Sequence, residues 1–336
     1  MPRMQILSDQ EREAFDSPPV FNSAERKQFF DVTSQMESMM ASMRTPISSV
    51  GFVVTLGYFK ATKRFFGLRI RDEDVQYVAK KRGYFSEMLD KDDYDKTTAG
   101  RHHMMILDYQ GYKEFDDSSR EELVSEIRSM ARSQLKPRFM FFQSLDILRR
   151  QRVEIPNAWT LNELISDEIK LHKAKLTEVI DEHLDADTRD ILDALLEPSG
   201  DDTDGPVQKS KLALLKRISQ SMKPSKTKAT VDDFRVVHAL YGKVEPVLNR
   251  LDLTPEGIRY YAEYVVKFKV FQVVQRNDAD RYLHLACFAA HQCYRIQDTL
   301  VDILLKAVQN TTGACQREHK EIYYDGRTER RNNLVA

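Results

Sequence analysis

Cysteine is scarce: Cys287, Cys293 and Cys315 are the three in 336 residues, and no two form a CxxC pair. An odd number without such pairs argues against both a disulfide framework and a thiolate zinc site. Glycine (12) and proline (11) are also sparse, which disfavours β-sandwiches and glycine-rich phosphate folds. No apolar run approaches the ~18–20 residues that cross a bilayer, and the first ten residues have neither a basic n-region nor an apolar h-region. The sequence therefore predicts no membrane span and no export, and a cytoplasmic location. Charge of one sign is lacking too, with 51 basic side chains against 52 acidic. Bulk charge cannot hold nucleic acid here, so any such binding must come from local patches.

What is present is helical. The length allows two or three units at ~100–200 residues each. Ser8 with Glu11, Ser118 with Glu121 and Thr160 with Glu163 fit the capping box, and Thr254 followed by Pro255 and Glu256 is a further start. Residues 51–59 (GFVVTLGYF) are β-prone in composition, yet Val50, Val53, Val54, Gly57, Ala61 and Phe65 keep a helical spacing. The run is predicted as a buried helix. The expected fold class is all-α, a multi-domain bundle of helices with helix-turn-helix-like modules. The expected divisions are 1–116, 117–198, a linker with a basic strip over 199–229, and a helical scaffold region over 230–336.

The linker is placed on residues 198–205 (PSGDDTDG), which combine breakers and acids with no apolar anchor. Residues 206–228 then carry seven basic side chains and no acid. Leu212, Leu215 and Ile218 fit one helix face there, predicting a short docked helix followed by a flexible basic tail around Pro224. Residues 278–309 are apolar on several faces, the pattern of a helix buried in a larger assembly. The charged stretch after Gly313 offers no closing core element, so the chain reads as the N-terminal part of something longer.

Four segments carry a family resemblance. They are LSDQEREAFDSPPVFNSAERKQFF with RTPISSVGFVVTLGYFKATKRFF, HHMMILDYQGYKEF, RRQRVEIPNAWTLNELI, and the long run at residues 257–309. In this order they resemble the N-terminal region of the Tn-three family of replicative transposases. Where the family's first motif has Asn and Gln, this chain has Ser48 and Thr55. The resemblance implies two DNA-binding modules that touch successive parts of a terminal inverted repeat. It also implies that the region after the linker belongs to the scaffold that carries dimerisation and catalysis. The family's RNase H-like nuclease, with its Mg-binding carboxylates, lies outside the resembling region. No cofactor and no catalytic residue are expected in this chain, and it is expected not to be an enzyme on its own. The expected partners are double-stranded DNA and a second copy or an intact transposase, with no membrane. Two other readings stand beside this one: an inactive remnant without specific binding, and an unrelated helical protein-interaction scaffold.

Candidate contacts follow from charge. Residues 44–82 hold nine basic side chains against three acidic, a net +6, and cations beside a groove neutralise phosphates. Arg44, Lys60, Lys63 and Arg64 are the candidates there, the last three at the spacing of one helix face. Arg101, His102 and His103 are expected to open a helix, where a planar guanidinium can read guanine. Arg149, Arg150 and Arg152 are expected to form a basic loop before a helix N-terminus, a setting that suits phosphate. His284, Cys287 and His291 share a helix face with zinc-type side chains, but they lack a fourth ligand and their apolar neighbours read as core.

Overall fold

The computed structural model describes residues 4–85, 87, 89–90, 93–133, 136–197 and 210–335. Among them the regular structure is helical, and the extended pairing is a single isolated bridge between Lys113 and Val153. In chain order the helices are α1 (Asp9–Asp16), α2 (Ser23–Phe29), α3 (Ser34–Met40), α4 (Pro46–Thr62), α5 (Asp72–Arg82), α6 (Lys96–Gln110), α7 (Asp117–Arg132) and α8 (Pro137–Gln151). They continue as α9 (Ala158–His183), α10 (Ala186–Ala194), α11 (Lys211–Leu215), α12 (Pro224–Leu251), α13 (Pro255–Lys267), α14 (Val270–Val274) and α15 (Asp278–Val335). The all-α class expected from the sequence is the class observed.

Helix starts follow side-chain chemistry. Ser8 and Glu11 form the expected reciprocal box on α1, and Thr254 caps α13 with Pro255 in its first turn. Two expected caps fall inside helices instead. Asp116 accepts from the Ser119 amide at 2.8 Å and starts α7 ahead of Ser118. Asn157 accepts from the Thr160 amide at 2.8 Å and starts α9 ahead of Thr160. In both places an upstream Asp or Asn serves the free amides as well as Ser or Thr does.

The chain divides into two compact units, Met1–His172 and Lys173–Ala336. The first holds two hydrophobic clusters. One is built around α4, whose residues from Ile47 to Phe59 are buried on every face. Its glycines permit that burial: a Cβ on Gly51 would lie 2.4 Å from the Tyr94 ring, and one on Gly57 would lie 2.4 Å from the Phe30 ring. The other cluster joins Ile6 to α7, α8 and the first half of α9, through Leu123, Phe141, Leu148, Leu161 and Ile165. The expected segment 117–198 is thus shared between the two units.

The second unit has one core, running from Leu176 through α10, α11, α12 and α13 to Ile296 on α15. The expected linker at 198–205 and Lys209 lie outside the described residues. Leu212 and Leu215 are buried on the short helix α11, and Ile218 packs beside them. The flexible tail expected around Pro224 is replaced by structure, because Pro224 is the first residue of α12, a position that suits its fixed φ and missing N–H. The apolar pattern over 278–309 is only partly buried: Ile296 is 2% exposed, whereas Val301 and Leu304 are 50% and 64% exposed. The charged stretch after Gly313 continues the same helix to Val335. No described helix is long and apolar enough to cross a membrane.

Candidate nucleic-acid interface

Three helices of the first unit end against one another. α4, α6 and α8 stop at Lys63, Gly111 and Arg152, each in the left-handed region with φ of 60°, 64° and 54°. The strands of chain that leave them are tied by backbone hydrogen bonds. Lys113 N donates to Arg152 O at 2.8 Å, Glu154 N to Lys113 O at 2.9 Å, and Ile155 N to Lys63 O at 2.9 Å. Helix C-termini carry partial negative charge, which cations in the last turn offset. That requirement gathers Lys60, Lys63, Arg149 and Arg152 around the junction. The Lys63 ammonium donates to Lys60 O at 3.1 Å and lies 5.4 Å from the centre of the Tyr112 ring. Burial lowers its pKa below the ordinary lysine value, and the nearby Arg149 and Lys60 lower it further. The left-handed φ of Gly111 is one that L side chains rarely adopt, and the Arg152 guanidinium lies 3.4 Å from where a Cβ would stand.

The basic surface does not end there. Lys60 is half-buried, its pKa lowered by burial and partly restored by Asp31. Asp31 pairs with Lys81 at 3.1 Å. Asp31, Lys81, Lys80, Lys27, Gln28 and Tyr77 line an open cleft of about 770 Å³ between α2 and α5. A chain of electrostatic neighbours therefore runs from Lys27, Lys80 and Lys81 through Lys60 and Lys63 to Arg149. Asp31 lies within it, and Asp146 pairs with Arg149 at its end. Such a band would be relieved of mutual repulsion by an anion with regularly spaced charges, and phosphodiester backbones are anions of that kind. Sequence reasoning passed over Lys27 and left Lys80 and Lys81 as members of a strip. The signal that could have found them is the run of cations in the last turns of α2 and α5.

Other expected contacts have different surroundings. The single helix face expected for Lys60, Lys63 and Arg64 is not formed, because α4 ends at Thr62 and the chain reverses through Lys63. Arg64 turns inward and is 5% exposed. Its guanidinium covers the Phe15 ring at 3.6 Å, donates to the Phe15 carbonyl and pairs with Asp16 at 2.6 Å. Residues 101–103 lie in the second turn of α6 and not at its start, because Asp95 caps the helix through the Thr98 amide. Arg101 is exposed there. His102 is buried in a polar chain: its Nε2 lies 3.3 Å from Ser48 Oγ and its Nδ1 3.2 Å from the Tyr94 hydroxyl, which lies 3.2 Å from Thr55 Oγ1. Burial, with a smaller effect of Arg101, lowers its pKa to about 4. The two departures from the family motif, Ser48 and Thr55, thus serve the interior. His103 packs on the Phe65 ring and pairs with Glu154 at 2.7 Å.

Arg149 and Arg150 do not form a loop. They occupy the last turn of α8, where Arg149 pairs with Asp146 at 3.1 Å, and Arg152 is its left-handed cap. Arg44 is exposed just ahead of α4. In the second unit Cys287 is fully buried and His284 donates from Nδ1 to the Tyr261 carbonyl at 2.8 Å. Among the described residues no three His, Cys, Asp or Glu side chains are grouped so as to hold a metal ion. Comparison with known families gives one finding: residues 6–167, nearly all of the first unit and none of the second, match the family described as Domain of unknown function (DUF4158).

Proposed function

We propose that the first unit binds double-stranded DNA along the basic band from Lys27, Lys80 and Lys81 to Arg149. The observation that carries this reading is that separate cationic segments of sequence adjoin: Lys81 and Lys60 share Asp31, and Lys63 lies close enough to Arg149 to be repelled by it. Phosphate contacts of this kind set affinity and register. The resemblance of the four motifs to the N-terminal region of replicative transposases supports a DNA of a particular kind, the terminal inverted repeats of a transposon. Base recognition then falls to exposed side chains outside the band, and Arg101 on α6 is the first to test. On this reading the chain binds transposon ends without cutting them, because its first motifs resemble the family's DNA-binding regions, its last resembles the helical scaffold, and none resembles the nuclease.

Footprinting on the element's own terminal repeat tests the reading. Protection of a defined stretch of the repeat is expected. Equal, unlocalised protection of repeat and random DNA would favour the inactive-remnant alternative. Loss of all protection would favour a protein-binding scaffold. Incubation of repeat DNA with Mg²⁺ should leave it uncut.

A further inference from the structure

The second unit carries a surface that the band on the first does not involve. Residues 264–277 (YVVKFKVFQVVQRN) contain no acid, and neither do residues 210–228, which include α11. The fold brings the two stretches together: Lys216, just after α11, donates from its ammonium to the Phe268 carbonyl at 2.7 Å. Phe268 and Phe271 stand at the break between α13 and α14 and are 42% and 56% exposed. Lys267 and Lys269 flank Phe268, and both are exposed. Beneath them Phe268 stacks on Tyr264 with ring centres 4.5 Å apart, and the Arg276 guanidinium covers Tyr264 at 4.1 Å. The outer ring is thus held on a rigid aromatic base. Acids bound the stretch on both sides: Glu263 pairs with Lys267 at 2.5 Å, Asp278 follows Asn277, and Asp280 pairs with Arg276 at 2.8 Å.

We propose that this ridge is a binding site for single-stranded nucleic acid, with Phe268 and Phe271 as stacking platforms and Lys216, Lys267 and Lys269 as phosphate contacts. Exposed phenyl rings flanked by cations match a ligand with flat apolar faces and a regular negative backbone. Unpaired bases offer those faces, and a duplex hides them inside its stack. An amphipathic membrane helix is a poorer description, because α14 is five residues long.

The test measures binding of the full chain to fluorescent oligo(dT) of about twenty nucleotides and to a duplex of equal length. The double variant Phe268→Ala/Phe271→Ala should weaken oligo(dT) binding by roughly thirtyfold or more, the lower end of what two lost stacking contacts cost. Its duplex binding should not change. The triple variant Lys27→Gln/Lys80→Gln/Lys81→Gln should do the reverse, so failure of this proposal and failure of the band are distinguishable. Photo-crosslinking of bromouracil-substituted oligonucleotide to the unaltered chain needs no variant to fold, and it should label a peptide within residues 264–277. Equal oligo(dT) affinity in the double-Phe variant, or crosslinks confined to the first unit, would overturn the proposal. So would binding to anionic phospholipid vesicles without binding to oligo(dT).

Discussion

Arg64 and Lys63 are adjacent cations with opposite duties. The guanidinium of Arg64 lies under Phe15 and holds Asp16, whose other contact is the Ala158 amide at 3.0 Å. Replacing Arg64 with Ala leaves Asp16 without its cation, and the first unit should lose about 3 kcal/mol, the lower end for broken buried pairs because Asp16 is partly exposed. Lys63→Ala should leave stability within about 1 kcal/mol and weaken DNA binding. Urea denaturation of the two variants separates these roles, and equal losses would mean that Arg64 is not the anchor described. Two buried histidines work against the fold in acid. Burial holds His102 and His284 to pKa values of about 4, against an ordinary value of 6.5. Both remain neutral in the folded chain between those values while the unfolded chain takes up protons. Stability should therefore be unaffected by these groups above pH 6.5 and fall as pH drops towards 4, by about 1.4 kcal/mol per pH unit for each. His102→Gln should remove the share of the first unit, which denaturation at pH 7 and pH 5 would show.

At the scale of elements, α4 depends on its glycines and α12 begins with an electrostatic mismatch. Gly57→Ala forces a methyl against the Phe30 ring, and the overpacking should cost about 1–3 kcal/mol. A melting temperature unchanged from that of the unaltered chain would show that Phe30 has room to move. Lys223 caps α12 without a side-chain hydrogen bond, and Lys226 and Lys228 follow at the positive end of the helix dipole. Lys223→Asp should supply both an acceptor and the favoured charge, for a gain of about 1 kcal/mol. Slower hydrogen exchange of the first-turn amides would register it. These elements also mark what was legible in advance. The helical reading of residues 51–59 rested on spacing, which survives folding unchanged, and the Ser8 and Thr254 starts rested on local chemistry. Position across the fold was not legible. Periodicity continued past Thr62 puts Lys63 and Arg64 on the face of Lys60, but only the tertiary ties to Ile155 and Asp16 reveal that the chain reverses there. Lys27 shows in sequence only as a cation in the last turn of α2, and its place beside Lys80 and Lys81, on a helix about fifty residues away, comes from the fold.

For the whole molecule, the near-neutral net charge conceals two concentrated basic surfaces, one in each unit. The central claim is that the band on the first unit grips duplex DNA through phosphates. Each phosphate neutralised on a duplex adds about 0.9 to the slope of log affinity against log salt. The most direct measurement is that slope for the unaltered chain and for Lys27→Gln/Lys80→Gln/Lys81→Gln, titrated on one duplex carrying the terminal repeat. A steep slope in the unaltered chain, reduced by about 2–3 in the variant with the helical circular dichroism unchanged, is the result expected. An identical slope in both proteins would contradict the account, because the cations of the cleft would then not lie on the path of the DNA.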